Sequence, residues 1–180
     1  MTRRPWFAPA VALASAAALL LAVTLLTADI TRQRARQQHL ALLQTLLPGS
    51  TEFTLVPYTG SDDGIRSVHQ GQTGQVVEVS VQGYVDEVTV LVGVSSEGEV
   101  LGLMVLSAHE TPGLGNHVLS DTDFLCQFLH TTGQAQVGED VVPITGATVS
   151  SRAVARCVNA AVAVATGTGD VTTEATVWEE

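Results

Sequence analysis

Apolar residues stand first in one uninterrupted block and later in short runs that alternate with polar residues. The block, Trp6 to Ala28, has 23 residues and no charge. As a helix it would extend about 34 Å, at ~1.5 Å per residue, which covers a hydrocarbon core of roughly 30 Å. It therefore predicts a transmembrane anchor. A cleaved signal peptide is the competing interpretation, but the block is long for one, and Leu26 stands where cleavage favours a small residue.

The charges that flank this block do not orient it. Arg3 and Arg4 precede it, and Arg32, Arg34 and Arg36 follow it. Because the positive-inside rule compares these two sides, the count is close to a tie. The side of the membrane on which the rest of the chain lies stays open on the charges alone.

A leucine-rich helix is predicted next, from Thr31 to Leu47. Its first part is polar, and its second part has leucines at helical spacing. Pro48-Gly49 is a strong stop signal and ends it. The expected apolar stripe consists of Leu40, Leu43 and Leu47, with Leu42 and Leu46 beside it.

Strand patterns occupy the middle of the chain. Between residues 50 and 75 frequent glycines break the pattern, so we expect one short strand, Glu52–Val56, and loops. Three runs then alternate in steps of two, which is typical of strands with one buried face. The buried positions are predicted to be Val77, Val79 and Val81 in the first run, Val88, Val90, Val92 and Val94 in the second, and Leu101, Leu103 and Val105 in the third. Glu97-Gly98 predicts a tight turn that makes the last two runs a hairpin.

Helical spacing returns in the last third of the chain. Ser120 to His130 predicts a helix that Ser120 caps. Gln134 to Val142 predicts an edge strand, and the segment from about Thr148 to Ala165 predicts a longer helix. Its inward residues are expected to be Val154, Val158, Ala161 and Val162. The fold class is thus α+β, an N-terminal transmembrane helix followed by an antiparallel sheet with packed helices.

This pattern divides the chain into four predicted parts. Residues 1–28 are the tip and the anchor, and residues 29–49 are a connecting amphipathic helix. Residues 50–166 are the domain that contains the sheet, and residues 167–180 are an acidic flexible tail.

Composition narrows the function classes. Apolar residues make up 46% and charged residues 14% of the chain, which excludes a disordered protein. The net charge is −10, there is no lysine, and after residue 28 six arginines face eighteen acidic residues. Because so acidic a domain lacks the positive surface that binds phosphate backbones, these numbers argue against nucleic-acid binding.

The two cysteines, Cys126 and Cys157, set a further limit. They are too few for a disulfide scaffold, a four-cysteine zinc site or a cysteine-ligated iron–sulfur cluster. Both lie on predicted helices beside apolar residues. Buried free thiols are therefore the main expectation, and a disulfide between them is the alternative.

Two segments contain candidate chemistry, and the first runs from His109 to His117. It contains a proline and two glycines, which predict a loop that turns sharply and lies close to a flat or bulky group. A zinc protease motif would need a second histidine where the chain has Gly113. Metal binding by His109, Glu110 and His117 is a minor alternative to solvated loop residues.

The second segment, Ile144 to Arg152, consists mostly of small residues and leads into the predicted helix. Free N–H groups and the dipole at a helix N-terminus favour an anion, and Arg152 adds a positive charge one turn later. Thr148 offers a hydroxyl that can be esterified. The plainer interpretation is that Thr148 caps the helix.

Together the two segments resemble the FMN-binding domain family. The resemblance rests on His109-Glu110-Thr111-Pro112-Gly113-Leu114-Gly115 and, about thirty residues later, on Thr145-Gly146-Ala147-Thr148-Val149-Ser150-Ser151-Arg152-Ala153-Val154. More narrowly, the chain is similar to the G subunits of Rnf ion-translocating electron-transport complexes. The similarity includes the anchor, the leucine-rich helix ending at Pro48-Gly49, and the Gly83-Tyr84 segment with its hairpin, and it covers roughly Ala8 to Ala165.

The resemblance implies an electron-transfer role with FMN as cofactor. In that family the threonine of the Gly-Ala-Thr triplet carries FMN through a phosphodiester, which assigns the covalent flavin, and a phosphoprotein linkage, to Thr148. Further cofactor contacts are implied for Thr145, Gly146, Ala147, Val149 and Ser150, for Glu110, Thr111, Pro112, Gly113, Leu114 and Gly115 in the loop, and for Tyr84. The resemblance implies no catalytic residue and no metal ligand.

The resemblance also implies partners and a location. The partners are the other membrane subunits of an Rnf-type translocase complex and a flavin transferase for maturation, and the protein is not catalytic alone. The location is the cell inner (cytoplasmic) membrane, with a single span and the N-terminus inside. Residues 50–166, the FMN-binding domain, then lie outside the cytoplasm.

The chain departs from the family pattern at one position. The flavin-attachment motif usually has aspartate three residues before the Ser/Thr that precedes Gly-Ala-Thr, and here that position is Val142, with Asp140 out of register. Two alternatives stay open. One is the C subunit of a sodium-translocating NADH:quinone reductase, which is usually longer. The other is a non-redox, membrane-anchored binding module with a degenerate flavin site, against which the intact Gly146, Ala147 and Thr148 argue.

Overall fold

A five-stranded antiparallel sheet, whose strands follow one another in chain order, forms the centre of the fold. The computed structural model describes residues 37–60, 62–108 and 121–168. The strands are β1 (Thr54–Val56), β2 (Ile65–Gln70), β3 (Gly74–Gln82), β4 (Glu87–Ser95) and β5 (Val100–Ala108). The helices are α1, helical over residues 37–46 of the described part, α2 (Thr122–Cys126) and α3 (Thr148–Thr166).

The α+β class, with an antiparallel sheet and packed helices, is therefore confirmed. Within the three described ranges, no helix combines the length and the apolar character needed to span a membrane. The anchor predicted at Trp6 to Ala28 lies outside the described residues, as does the predicted tail beyond Thr168.

The valine runs of β3 and β4 build the main core beneath α3. Alternate residues of a strand point to the same face, so the predicted valines of the two strands lie together. They are inaccessible to solvent or nearly so. The residues by which α3 closes this core include the predicted Val154, Val158, Ala161 and Val162.

The end of α1 covers part of the opposite face. The second core consists of Leu43, Leu46, Leu47, Val76 and Leu91. Beside it, Gly93 of β4 and Gly102 of β5 are partners across the sheet. A Cβ at Gly93 would lie 2.1 Å from the carbonyl oxygen of Leu46. Glycine at this position is thus what lets the helix backbone approach the strand.

Several predictions for α1 and the first two strands were wrong in detail. Leu40 is 41% exposed and does not belong to the buried stripe of α1. The predicted strand Glu52–Val56 shortens to β1, and the region predicted as loops contains β2. A register shift between Ile65 and Ser67 explains why β2 escapes detection, since Ile65 and Val68 are both buried although they are three residues apart.

The phase of β5 also differs from the prediction. Register shifts against β4 interrupt its alternation. Leu103 and Val105 pack in the core beneath α3, whereas Leu101 packs with the leucines of α1. A strict period of two therefore assigned Leu101 to the wrong face.

The helix predicted from Ser120 to His130 is much shorter. α2 starts after Asp121, whose carboxylate accepts a hydrogen bond from the backbone N–H of Phe124 at 2.9 Å. The chain continues in turns after Cys126. Ser120, the predicted cap, lies outside the described residues.

Both cysteines are free, and only Cys157 is buried. Its thiol lies 3.7 Å from the carbonyl oxygens of both Val79 and Val88, between α3 and the sheet. Burial raises the pKa of the Cys157 thiol far above its usual range. Cys126, predicted to be buried, is exposed at the end of α2.

This difference predicts selective labelling. In the native full-length chain, a maleimide should modify Cys126 at least about a hundredfold faster than Cys157, because Cys157 is buried and its raised pKa keeps it protonated, whereas Cys126 is exposed to the reagent. Mass spectrometry should show one adduct in native protein and two in denaturant. Two adducts at equal rates in native protein would contradict the placement of Cys157, and Cys126→Ser, which should stay unlabelled, is the control.

Candidate functional site

The start of α3 lies toward one end of the sheet. At the other end of the sheet, Gly98 lies beside Thr166, near the end of α3. A Cβ built on Gly98 would be 2.7 Å from the methyl carbon of Thr166. α3 runs along β3 and β4 from there. Thr148 therefore lies toward the end at which residues 83–86 join β3 to β4 and at which β5 ends with Ala108.

A tight turn leads into Thr148. The N–H of Ala147 donates to the carbonyl of Ile144 at 2.9 Å, and Gly146 has a φ of 80°, which side chains with a Cβ rarely adopt. Ser151, buried in the first turns of α3, holds this turn. Its hydroxyl donates to the carbonyl of Ala147 at 2.9 Å and accepts from the N–H of Ile144 at 3.2 Å.

Side-chain amides hold the segment before the turn. Gln127 accepts from the N–H of Val142 at 2.8 Å and donates to its carbonyl at 3.3 Å. Asn159 of α3 accepts from the N–H of Ala135 at 3.1 Å and donates to the carbonyl of Ala135 at 3.0 Å. Because these pairs satisfy the backbone, the predicted edge strand Gln134–Val142 is not formed, and an isolated bridge takes its place.

Thr148 is the first residue of α3, and it is exposed. The N-cap residue, Ala147, has no side chain that can cap the helix, and the first turn contains no acidic residue. With the other described residues, the Thr148 hydroxyl forms no hydrogen bond. As far as the described residues go, the hydroxyl and the N–H groups of the first turn are therefore open to an anion.

The structure brings part of the predicted site together. Thr145 and Gly146 are exposed beside Thr148, Val149 is half-buried, and Ala147 and Ser150 are buried. Tyr84 is 63% exposed in the turn between β3 and β4, at the same end of the sheet. The loop Glu110, Thr111, Pro112, Gly113, Leu114 and Gly115 follows the end of β5 but lies outside the described residues, so its contact with a flavin stays a prediction.

Comparison with known proteins identifies the family of the chain. The FMN-binding domain family matches residues 83–163, which include Tyr84 and Thr148. The G subunit of the ion-translocating oxidoreductase complex of Methanosarcina acetivorans is 34% identical over 164 residues, which are 82% of this chain and 85% of that protein. The chain belongs to this family of G subunits. The family's members from Shewanella baltica and Acetobacterium woodii are each 29% identical, over 80% and 84% of this chain and 80% and 86% of their own lengths.

Membership of this family confirms the central expectations from the sequence. These are an FMN-binding domain and an electron-transfer component of an ion-translocating oxidoreductase complex. The Acetobacterium woodii relative is named as the G component of a Na(+)-translocating ferredoxin:NAD(+) oxidoreductase complex. All three relatives are named as G subunits, which favours this family over the C subunit of the quinone reductase.

The residues at the start of α3 fit the phosphate of FMN. Open N–H groups, a free hydroxyl on Thr148 and the absence of acidic side chains in the first turn suit a negatively charged group. Gly146, at positive φ, turns the chain without placing a side chain over Thr148. The start of α3 thus has the chemistry that would suit the phosphate of FMN.

Analysis of the sequence missed the residues that hold the turn before Thr148. Ser151 stands within the motif, and a serine four residues after a turn carbonyl commonly bonds back to it, which is the signal that was available. Gln127 and Asn159 act on backbone groups 15 and 24 residues away. No local pattern predicts such pairs.

A separate polar cluster lies on the sheet face away from α3. The Ser67 hydroxyl donates to Glu78 at 2.8 Å and lies 3.3 Å from Nε2 of His69. The carboxylate thus bonds directly to the serine hydroxyl.

The same face contains an exposed ion pair between Arg66 and Glu87, at 2.8 Å. Hydrogen bonds from the Ser80 hydroxyl and from Arg66 lower the pKa of Glu87. Exposed pairs of this kind contribute at most about 1 kcal/mol to stability. Across the described ranges, no three His, Cys, Asp or Glu side chains converge as metal ligands, and the His109 to His117 loop lies outside those ranges.

Proposed function

We propose that this protein carries FMN covalently on Thr148 and passes electrons through it, in a membrane complex that couples electron transfer to ion translocation. The observation that supports the proposal is the exposed Thr148 hydroxyl at an uncapped, acid-free helix start, inside the region that matches the FMN-binding domain family. When bound, FMN accepts and releases electrons one or two at a time. The chain's own residues hold its phosphate and set the surroundings of its ring.

The attachment needs a flavin dinucleotide as donor and a flavin transferase as catalyst. Thr148 Oγ1 bonds to the flavin-side phosphorus, the pyrophosphate bond breaks, and the nucleoside monophosphate leaves with the bonding electron pair. The hydroxyl proton passes to solvent. The turn held by Ser151 keeps Thr148 at the surface for this reaction. Val142 stands where the attachment motif usually has aspartate, and its side chain is 72% exposed.

The test is covalent flavin in the full-length chain. Membranes from cells that express the chain together with a flavin transferase should give a fluorescent band in a denaturing gel. Its mass should be that of the chain, 18.8 kDa, increased by that of FMN. The band should be dark without the transferase. A dark band in both cases would support the alternative of a binding module without a flavin.

The proposed location is the inner (cytoplasmic) membrane, with a short cytoplasmic N-terminus, one span at residues 6–28 and the domain outside the cytoplasm. Support comes from the uncharged block in the sequence and from the family. A phosphatase fused after Glu180 should be active, and a reporter that works only in the cytoplasm should be inactive. The opposite pair of results would mean that Arg32, Arg34 and Arg36 determine the orientation.

We also propose that the loop Glu110 to Gly115 packs on the flavin ring. Support comes from its position in the chain directly after β5. That strand ends at the end of the sheet toward which the start of α3 lies. In protein that carries FMN, Gly113→Val should change the flavin absorption spectrum. Glu110→Gln should raise the midpoint potential, because a nearby carboxylate disfavours the anionic reduced ring. Unchanged values for both variants would make the loop a scaffold and Tyr84 the next candidate for ring contact.

A further inference from the structure

The exposed side of α3 places a single arginine next to the attachment point. Thr148 and Arg152 are both exposed, and they stand four residues apart on the helix. Residues at this spacing are neighbours, with about 5–6 Å between their Cβ atoms. The Cα–Cβ bonds of a helix also tilt toward its N-terminus, so a long side chain at position 152 can reach back to the turn that begins with Thr148.

Within the part of the chain that the structure describes, the surroundings of Arg152 leave its guanidinium available. With the other described residues, Arg152 forms neither an ion pair nor a hydrogen bond, whereas Arg66 is paired with Glu87. Arg152 borders an open depression of about 200 Å³, which gives its side chain room to move. Arg156 borders the same depression but lies eight residues from Thr148, about 12 Å along the axis at ~1.5 Å per residue.

We propose that the Arg152 guanidinium pairs with the phosphoryl group carried by Thr148. The proposal rests on the function proposed above. A phosphodiester keeps one negative charge, and Arg152 is the cation placed to neutralise it in a domain with a large excess of acidic residues. Arg152 is thus a positioning residue, which holds the phosphate at the helix start and fixes where the flavin leaves the surface.

The first test needs no flavin. In the full-length chain purified in detergent, Thr148→Asp places a negative charge where the phosphoryl would be, and unfolding is followed in denaturant. Thr148→Asp should raise the folding equilibrium constant. This gain should be about twofold smaller when Arg152→Gln is also present, because the pair between positions 148 and 152 is then lost. Arg156→Gln should leave the gain unchanged. An equal gain with and without Arg152 would overturn the proposal.

The second test uses the chain loaded with FMN. The phosphorus-31 resonance of the phosphodiester should shift in Arg152→Gln and stay in place in Arg156→Gln. If the FMN-loaded Arg152→Gln variant has the same phosphorus-31 resonance as the loaded wild type, this inference is overturned and the proposed function is unaffected. A wild-type chain that takes up no flavin overturns the proposed function, and this inference with it.

Discussion

Replacing Thr148 by valine will remove covalent flavin from the protein and leave the fold intact. Valine keeps the branched shape of threonine and exchanges only the hydroxyl for a methyl group, so the acceptor oxygen is lost. Because Thr148 is exposed and forms no cap on α3, the free energy of unfolding should change by less than about 0.5 kcal/mol. Flavin fluorescence in a denaturing gel should fall to background at an unchanged protein level.

Two matched variants show which hydroxyl is used. Thr148→Ser keeps an oxygen at the same position and should keep the flavin. Thr145→Val removes the other exposed threonine hydroxyl of the same turn and should also keep it. A fluorescent Thr148→Val protein would contradict the assignment. If Thr145→Val alone were dark, the bond would belong to Thr145.

Strands β3 and β4 were predictable because their valines recur strictly every second residue and face one large core. β2 was not, since a register shift near Ile65 places buried residues three apart and removes the period that the prediction depends on. The predicted strand Gln134–Val142 failed for another reason. Its apolar residues look strand-like, but its backbone pairs with the amides of Gln127 and Asn159, which only the folded chain brings near.

The turn before α3 was the more predictable half of the candidate site. Small residues followed by a helix start indicate an anion-binding turn, and the resemblance selected Thr148 within it. The helix does begin at Thr148, as predicted. What holds the turn in place was predictable only in part. A serine commonly bonds back to the carbonyl four residues earlier, but the second hydrogen bond of Ser151, from the N–H of Ile144, depends on the φ of Gly146.

The junction between α1 and the sheet predicts the second large effect, on stability. A Cβ at Gly93 would lie 2.1 Å from the carbonyl oxygen of Leu46 and 2.7 Å from its carbonyl carbon, and real Cβ atoms do not approach backbone so closely. Gly93→Ala should therefore push the end of α1 off the sheet and disturb its leucine core. We expect a loss of about 3 kcal/mol in the free energy of unfolding, at the upper end of typical overpacking.

Gly102→Ala is the matched control, because it adds the same methyl group on the neighbouring strand of the same pair. There a Cβ would lie 3.2 Å from the Cα and from the carbonyl oxygen of Leu46, so a shift of a few tenths of an ångström relieves the contact. Alanine also reduces the freedom of the unfolded chain, which offsets part of that strain, and the variant should stay within about 1 kcal/mol of wild type. Denaturant unfolding of the full-length chain in detergent, followed by circular dichroism, measures both. Equal stabilities of the two variants would mean that Leu46 does not rest against β4, and that α1 is held by its leucine side chains alone.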